Sequence, residues 1–292
     1  MPVGTTTVRL SPHPGGTATE DWSRRRFLGA RITHDDPRLR PKGVGAILDT
    51  GLDVLVARFA PCVGIAALLW FPVIILQGTI LSGIPEVLVF QILPAFLVET
   101  LTVVFVCGIV GGELQGQRVP ALEALALGLR RFPGMILLGL LMGALTFVGI
   151  CACWLPGIAL QWLFCVVPAV YVLERRGMGA ALSRGIKLVT TGPAFLRWMG
   201  WSAASFFMLL PFRLVAKGLT WPNVRQDMEE LLSISGLPFD LLAALVVAPI
   251  VGVATAYTAV LLTVFYVDLR VRSEGLDLTL RLEGLKSAGA GV

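Results

Sequence analysis

Six long apolar stretches separated by short polar segments set the pattern of this chain. They fall at residues 59–81, 86–111, 133–153, 156–173, 194–216 and 239–267. Crossing a hydrocarbon core about 30 Å thick takes ~20 helical residues, so each stretch has close to the required length. Inside lipid a segment must satisfy its own backbone N–H and C=O groups, which makes each stretch an α-helix. The pattern predicts an all-α polytopic membrane bundle of six transmembrane helices. Only Trp154-Leu155-Pro156-Gly157 links the third and fourth stretches, which predicts a tight transmembrane hairpin or a re-entrant pair.

The segments between the stretches carry weaker patterns. Over 45–58, Ile47, Leu48, Leu52, Leu55 and Val56 recur at helical spacing with Asp49 and Asp53 between them. This predicts a short amphipathic helix lying in the plane of the membrane. Similar runs, Ala124–Leu129 and Ala181–Ile186, precede the third and fifth stretches, and Pro61, Pro133 and Pro193 follow the three runs in turn. The expected unit is an in-plane helix, a proline-marked corner and a helical hairpin, used three times. Val224–Leu232 predicts a helix between the fifth and sixth spans. Pro72, Pro94, Pro168 and Pro249 lie inside spans, where each can open a kink. After the last span, Leu276, Leu278, Leu280 and Leu282 alternate with Asp277, Thr279 and Arg281, a period of two that predicts a strand in need of a partner. The resulting division is an N-terminal arm (1–43), a transmembrane domain (44–268) and a C-terminal tail (269–292).

Composition agrees with lipid as the main solvent. Hydrophobic residues make up 55% of the chain and charged residues 15%, against about 25% charged in soluble domains. The net charge of +5 raises nucleic acid as a partner, but the distribution of the basic residues removes it. Of the 24 Lys and Arg, 21 fall on one side of the predicted bundle and only Arg213, Lys217 and Arg225 on the other. That bias predicts a membrane protein with both termini in the cytoplasm. The arm contains Ser23-Arg24-Arg25-Arg26-Phe27-Leu28, similar to a twin-arginine signal, but Gly29–Asp36 supplies no apolar region after it. A basic arm resting on anionic headgroups is the expected alternative.

Chemistry-bearing residues are few. Cys62, Cys107, Cys151, Cys153 and Cys165 lie in or beside apolar stretches, where cysteine acts as a small apolar residue. A metal or redox pair at Cys151 and Cys153 would lack histidine, since His13 and His34 are both in the arm. The chain has no HExxH, GxSxG or GxxxxGK[ST] motif, so no catalytic centre and no cofactor are expected. Glu99, deep in the second span, is the sharpest polar signal, with Gln91 and Thr102 on roughly the same helical side. Tyr257, Thr255 and Thr258 of the last span are its candidate partners. This group is either a proton or cation site or a neutral acid hydrogen-bonded between helices. At the cytoplasmic ends, Glu174, Asp268, Arg270, Arg272 and Glu274 form a candidate ion-pair cluster. With Arg175, Arg176, Arg184 and Lys187, the same region is alternatively a pocket for anionic headgroups.

Three segments carry a family resemblance. They are Gly45–Leu52, Val172–Gly177 followed by Ala180–Val189, and Phe265–Leu278. In that order they resemble the bacterial multi-pass family related to the membrane domain of glycerophosphoryl diester phosphodiesterases. Gly185-Ile186 stands where that family often has Ser-Trp. The resemblance implies the membrane architecture. It implies no catalysis, because in the fused members a separate soluble barrel domain does the chemistry. The expected function is therefore an accessory or scaffold protein touching lipid headgroups, or alternatively a small-solute or lipid transporter using an intramembrane carboxylate. A protein partner pairing with the tail strand is a further expectation.

Overall fold

Apolar stretches of this length fold as helices, and the computed structural model consists of little else. It describes residues 41–79, 88–114, 121–152, 154–191, 194–219 and 222–274. Among them the chain forms α1 (Val44–Ala57), α2 (Phe59–Thr79), α3 (Leu88–Leu114), α4 (Ala121–Ala152) and α5 (Trp154–Phe164). There follow α6 (Val167–Leu173), α7 (Met178–Thr190), α8 (Ala194–Leu219), α9 (Pro222–Leu232) and α10 (Leu237–Glu274). No strand occurs among the described residues. Six spans are long and apolar enough to cross a membrane: α2, α3, α4, the α5–α6 pair, α8 and α10. The chain is a multi-pass membrane protein.

Several predicted boundaries move, each for a local reason. Pro133 makes no corner: α4 runs unbroken through it for 32 residues. The three-fold repeat of helix, corner and hairpin therefore fails at its second copy. The fourth span breaks between Phe164 and Val167, where Pro168 sits at the start of α6 and cannot donate to the preceding turn. The last span does not end at 267. It continues to Glu274, held by the i,i+4 pairs Arg272–Asp268 and Arg270–Glu274, so the expected boundary at 268/269 falls inside α10. The expected strand at Leu276–Leu282 and most of the 1–43 arm lie outside the described residues.

α10 is the axis of the bundle. Its 38 residues extend about 57 Å, and α1, α2, α3, α6, α7 and α8 all pack against it. The α4–α5 hairpin packs on the outer side of α3. One end of the bundle gathers Arg58, Arg131, Arg176, Arg184, Arg197, Arg270 and Arg272 and is called the basic end here; the other is the far end. The dense core belongs to the basic half, with Ile47, Phe105, Ile109, Tyr257, Leu261 and Phe265 fully buried. In the far half, among the described residues, a small cluster of Ile74, Ala216, Ala244, Val247 and Ala248 joins α2, α8 and α10. Exposed Leu137, Leu141 and Phe147 on α4, and Leu196 and Phe207 on α8, are the lipid-facing surface.

Glycine sets the closest helix approach. A Cβ at Gly252 would lie 2.9 Å from the backbone N of Ala67 and 3.2 Å from its Cα, atoms that cannot rotate away. Gly252→Val should thus push α2 off α10 and cost about 1–3 kcal/mol, read as a lowered unfolding midpoint in detergent. An unchanged midpoint would mean that the two backbones do not meet at Ala67.

Candidate functional site

Two groups of polar residues stand out from the apolar packing. The first is the ion-pair network at the basic end, built on two carboxylates. Glu174, just after α6, accepts from the Tyr266 hydroxyl at 2.9 Å and from Arg184 Nε at 3.3 Å. Its other oxygen lies 2.7 Å from Arg176 Nε. Arg184 also pairs with Glu274, and Arg270 binds Glu274 at 3.0 Å. This centre joins α6, α7 and α10. Asp268 is the second centre. Its side chain is fully buried, pairs with Arg197 of α8, and accepts the backbone N–H of Lys42 at 2.7 Å and Arg272 Nε at 3.3 Å.

The neighbouring turn is held in the same way. Arg175 adopts a left-handed φ of 53°, and the Arg175 and Arg176 carbonyls accept from Arg131 of α4 at 2.9 and 3.2 Å. Of the nine residues predicted at this end, Glu174, Arg176, Arg184, Asp268, Arg270, Arg272 and Glu274 are brought together. Arg175 contributes its carbonyl, and Lys187 is exposed on α7. Arg197 and Tyr266 belong to the network and were not anticipated. Their signal is a single arginine and a single tyrosine at apolar helix ends, which sequence alone cannot pair.

The second group lies at mid-membrane. Thr102 is buried and donates to its own helix at Val98 O, 2.8 Å away. Tyr257 donates to the Leu48 carbonyl of α1 at 3.3 Å, and Thr255 and Thr258 bond carbonyls of their own helix. The expected cluster of Glu99, Thr102 and Tyr257 is therefore not assembled. Helical threonines bond the carbonyl one turn back when no better partner arrives, and the long reach of Tyr257 takes its hydroxyl to α1. The side chain of Gln91 lies outside the described residues.

Glu99 is left exposed. It is nevertheless crowded by protein, and the charge acting on it is Arg213 of α8, which is itself exposed. Packing pairs fix its depth. Thr263 of α10 donates to Cys107 of the parallel α3 at 3.1 Å, so equal counts back along both helices set Glu99 level with Thr255. Trp201 of the antiparallel α8 packs on Phe265 at 5.6 Å between ring centroids, and counting from there sets Arg213 opposite Val253. Two residues of rise separate the levels, about 3 Å. Gly252 faces Ala67, near the middle of the Phe59–Gln77 span, so both charges lie within the membrane-spanning part of the bundle, Arg213 toward the far end of its own span. They make no ion pair with each other.

One face of α10 is covered along only part of its length. Leu241, Leu242, Leu245 and Val246 are 42–64% exposed and Pro249 is exposed. On the same face toward the basic end, Ala256, Val260 and Thr263 are completely covered, with α3 lying over them at Cys107. The face that α3 covers in the basic half is thus open in the far half. Glu99 sits where the cover ends. The topology reading counts Arg213 among the far-side charges, although it falls inside the predicted stretch 194–216. The apolar run Phe212-Arg213-Leu214-Val215-Ala216 places it inside, and the continuation of that run is the signal that marks it.

Together these features define a multi-pass α-helical membrane protein with two charged side chains, Glu99 and Arg213, exposed at similar depth near an uncovered apolar face of α10. No family model, curated protein or solved structure matches the chain.

Proposed function

We propose that this chain is a non-catalytic plasma-membrane protein of a bacterium, with its basic end in the cytoplasm, that takes a lipid-like amphiphile into a recess between Glu99, Arg213 and the open face of α10 and moves it between leaflets. The observation that carries this reading is Glu99, exposed at mid-membrane where the open apolar face of α10 ends. An unpaired charge at that depth costs about 2.5–3.5 kcal/mol on insertion scales, and a buried packing role would have given it a partner. The recess is lined by apolar side chains, which suits a ligand arriving from the bilayer rather than from water. The distribution of Lys and Arg supports the orientation. The membrane role itself is supported by the six long apolar helices.

The test is movement of a fluorescent phospholipid between leaflets of proteoliposomes, followed by chemical quenching of the outer leaflet. The intact chain should accelerate movement over protein-free vesicles. Leu245→Trp, which fills the open face of α10, should remove most of that acceleration. Equal rates for protein-free vesicles, the intact chain and Leu245→Trp would sink the proposal.

An accessory role at anionic headgroups is the second reading, favoured by exposed Lys187 and half-exposed Arg176 on the basic end. Binding to anionic liposomes no tighter than to neutral ones would remove it. A protein partner for the tail belongs to this reading.

A further inference from the structure

The two mid-membrane charges have opposite sign, lie at nearly the same depth and are not bonded to each other. We infer that the recess takes a zwitterion, with its ammonium group on Glu99, its phosphate or carboxylate on Arg213 and an apolar part along the open face of α10. The inference rests on the proposed recess and names the chemistry of its ligand.

Three observations carry it. Glu99 and Arg213 are both exposed, so both are available to a ligand. They lie about two residues of rise apart, the Arg213 charge acts on Glu99, and the two make no salt bridge with each other. Leu241, Leu245 and Pro249 continue from the charges toward the far end as an uncovered apolar track. A zwitterion leaves no charge uncompensated: its cation meets the carboxylate, and its anion meets a guanidinium whose planar fork matches phosphate or carboxylate. A purely anionic ligand leaves Glu99 bare, and a purely cationic one leaves Arg213 bare. At this depth a bare charge is costly, so net-charged ligands bind more weakly.

Direct binding to the full chain in detergent, with four radiolabelled probes, decides the matter. These are a single-chain phosphatidylethanolamine, its phosphatidylglycerol counterpart, an alkyltrimethylammonium of equal chain length, and free phosphoethanolamine. The zwitterionic lipid should bind the intact chain at least about tenfold tighter than either net-charged amphiphile, a difference of ~1.4 kcal/mol. Glu99→Gln should move preference toward the phosphatidylglycerol probe, and Arg213→Gln toward the alkyltrimethylammonium. A merely structural role for either residue would not shift preference in opposite directions. Should a variant fail to fold, the ranking of the four probes on the intact chain still decides.

Phosphoethanolamine binding as tightly as the lipid would keep the zwitterion and overturn the lipid-like ligand. Equal binding of all three amphiphiles, blocked by Leu245→Trp, would overturn the zwitterion and keep the recess. No binding by any probe would overturn both.

Discussion

Asp268→Ala is expected to destabilise the protein by about 3–5 kcal/mol, the range for removing one partner of a buried ion pair. The Asp268 side chain is wholly buried and the paired Arg197 is 15% exposed. Loss of the carboxylate leaves a guanidinium between α8 and α10 with little access to water. It also orphans the Lys42 N–H, which Asp268 accepts at 2.7 Å, although the Lys42 carbonyl stays within reach of Arg197 and Arg272. Three parts of the chain meet at this one carboxylate: the segment before α1, the start of α8 and the end of α10. Denaturant titration in mixed micelles measures the loss. The Asp268→Ala/Arg197→Ala double variant should lose less than the sum of the singles, since the two residues form one interacting unit. A loss below about 1 kcal/mol, as for an exposed pair, would mean that water reaches this end freely.

Glu99→Gln and Arg213→Gln should do the opposite: cut lipid movement at least about tenfold while leaving stability unchanged or raised. The sign follows from the geometry. Among the described residues neither has an ion-pair partner, so each brings a charge into the membrane-spanning part of the bundle, where removal relieves a cost of up to roughly 2.5–3.5 kcal/mol. Gains of this kind at the expense of activity mark functional sites, where a protein tolerates strain for its task. A structural carboxylate behaves otherwise, since its loss leaves a donor unsatisfied. Paired measurements of lipid movement and unfolding midpoint on each variant separate the two cases. A lowered midpoint with unchanged movement would assign Glu99 to packing.

Much of the fold was legible because lipid imposes one rule on every span: about 20 apolar residues with their backbone satisfied internally. The six spans follow from that rule, and α2 begins at Phe59 and α8 at Ala194 as expected. Where polar residues enter, the rule weakens. Asp268, Arg270 and Arg272 read as the start of a tail, yet pairs one turn apart keep α10 helical to Glu274. Pro133 reads as a corner, yet α4 passes through it, since a kinked helix can find new partners for the freed carbonyl.

The site was half legible. Depth alone singled out Glu99, because a charge in the middle of a span always needs an explanation. Its counterpart was missed because Arg213 lies near the end of its own span, where a basic residue ordinarily sets topology. Only the packing of α8 against α10, fixed by Trp201 on Phe265, raises it to the level of Glu99. The candidate partners Thr102 and Tyr257 illustrate the reverse error. Helical spacing assigns a residue to a face, but the nearest carbonyl decides where a hydroxyl points.

The central claim is that Glu99 lines an open recess at mid-membrane, and collisional accessibility of a spin label in lipid nanodiscs tests it most directly. Labels are placed at Glu99, at lipid-facing Leu141 and at fully buried Ala256, with molecular oxygen and a water-soluble nickel complex as collision partners. The label at Glu99 should collide freely with oxygen and more often with nickel than the label at Leu141, since charged walls draw water into the recess. A label at Glu99 as shielded from both partners as the label at Ala256 would contradict the account.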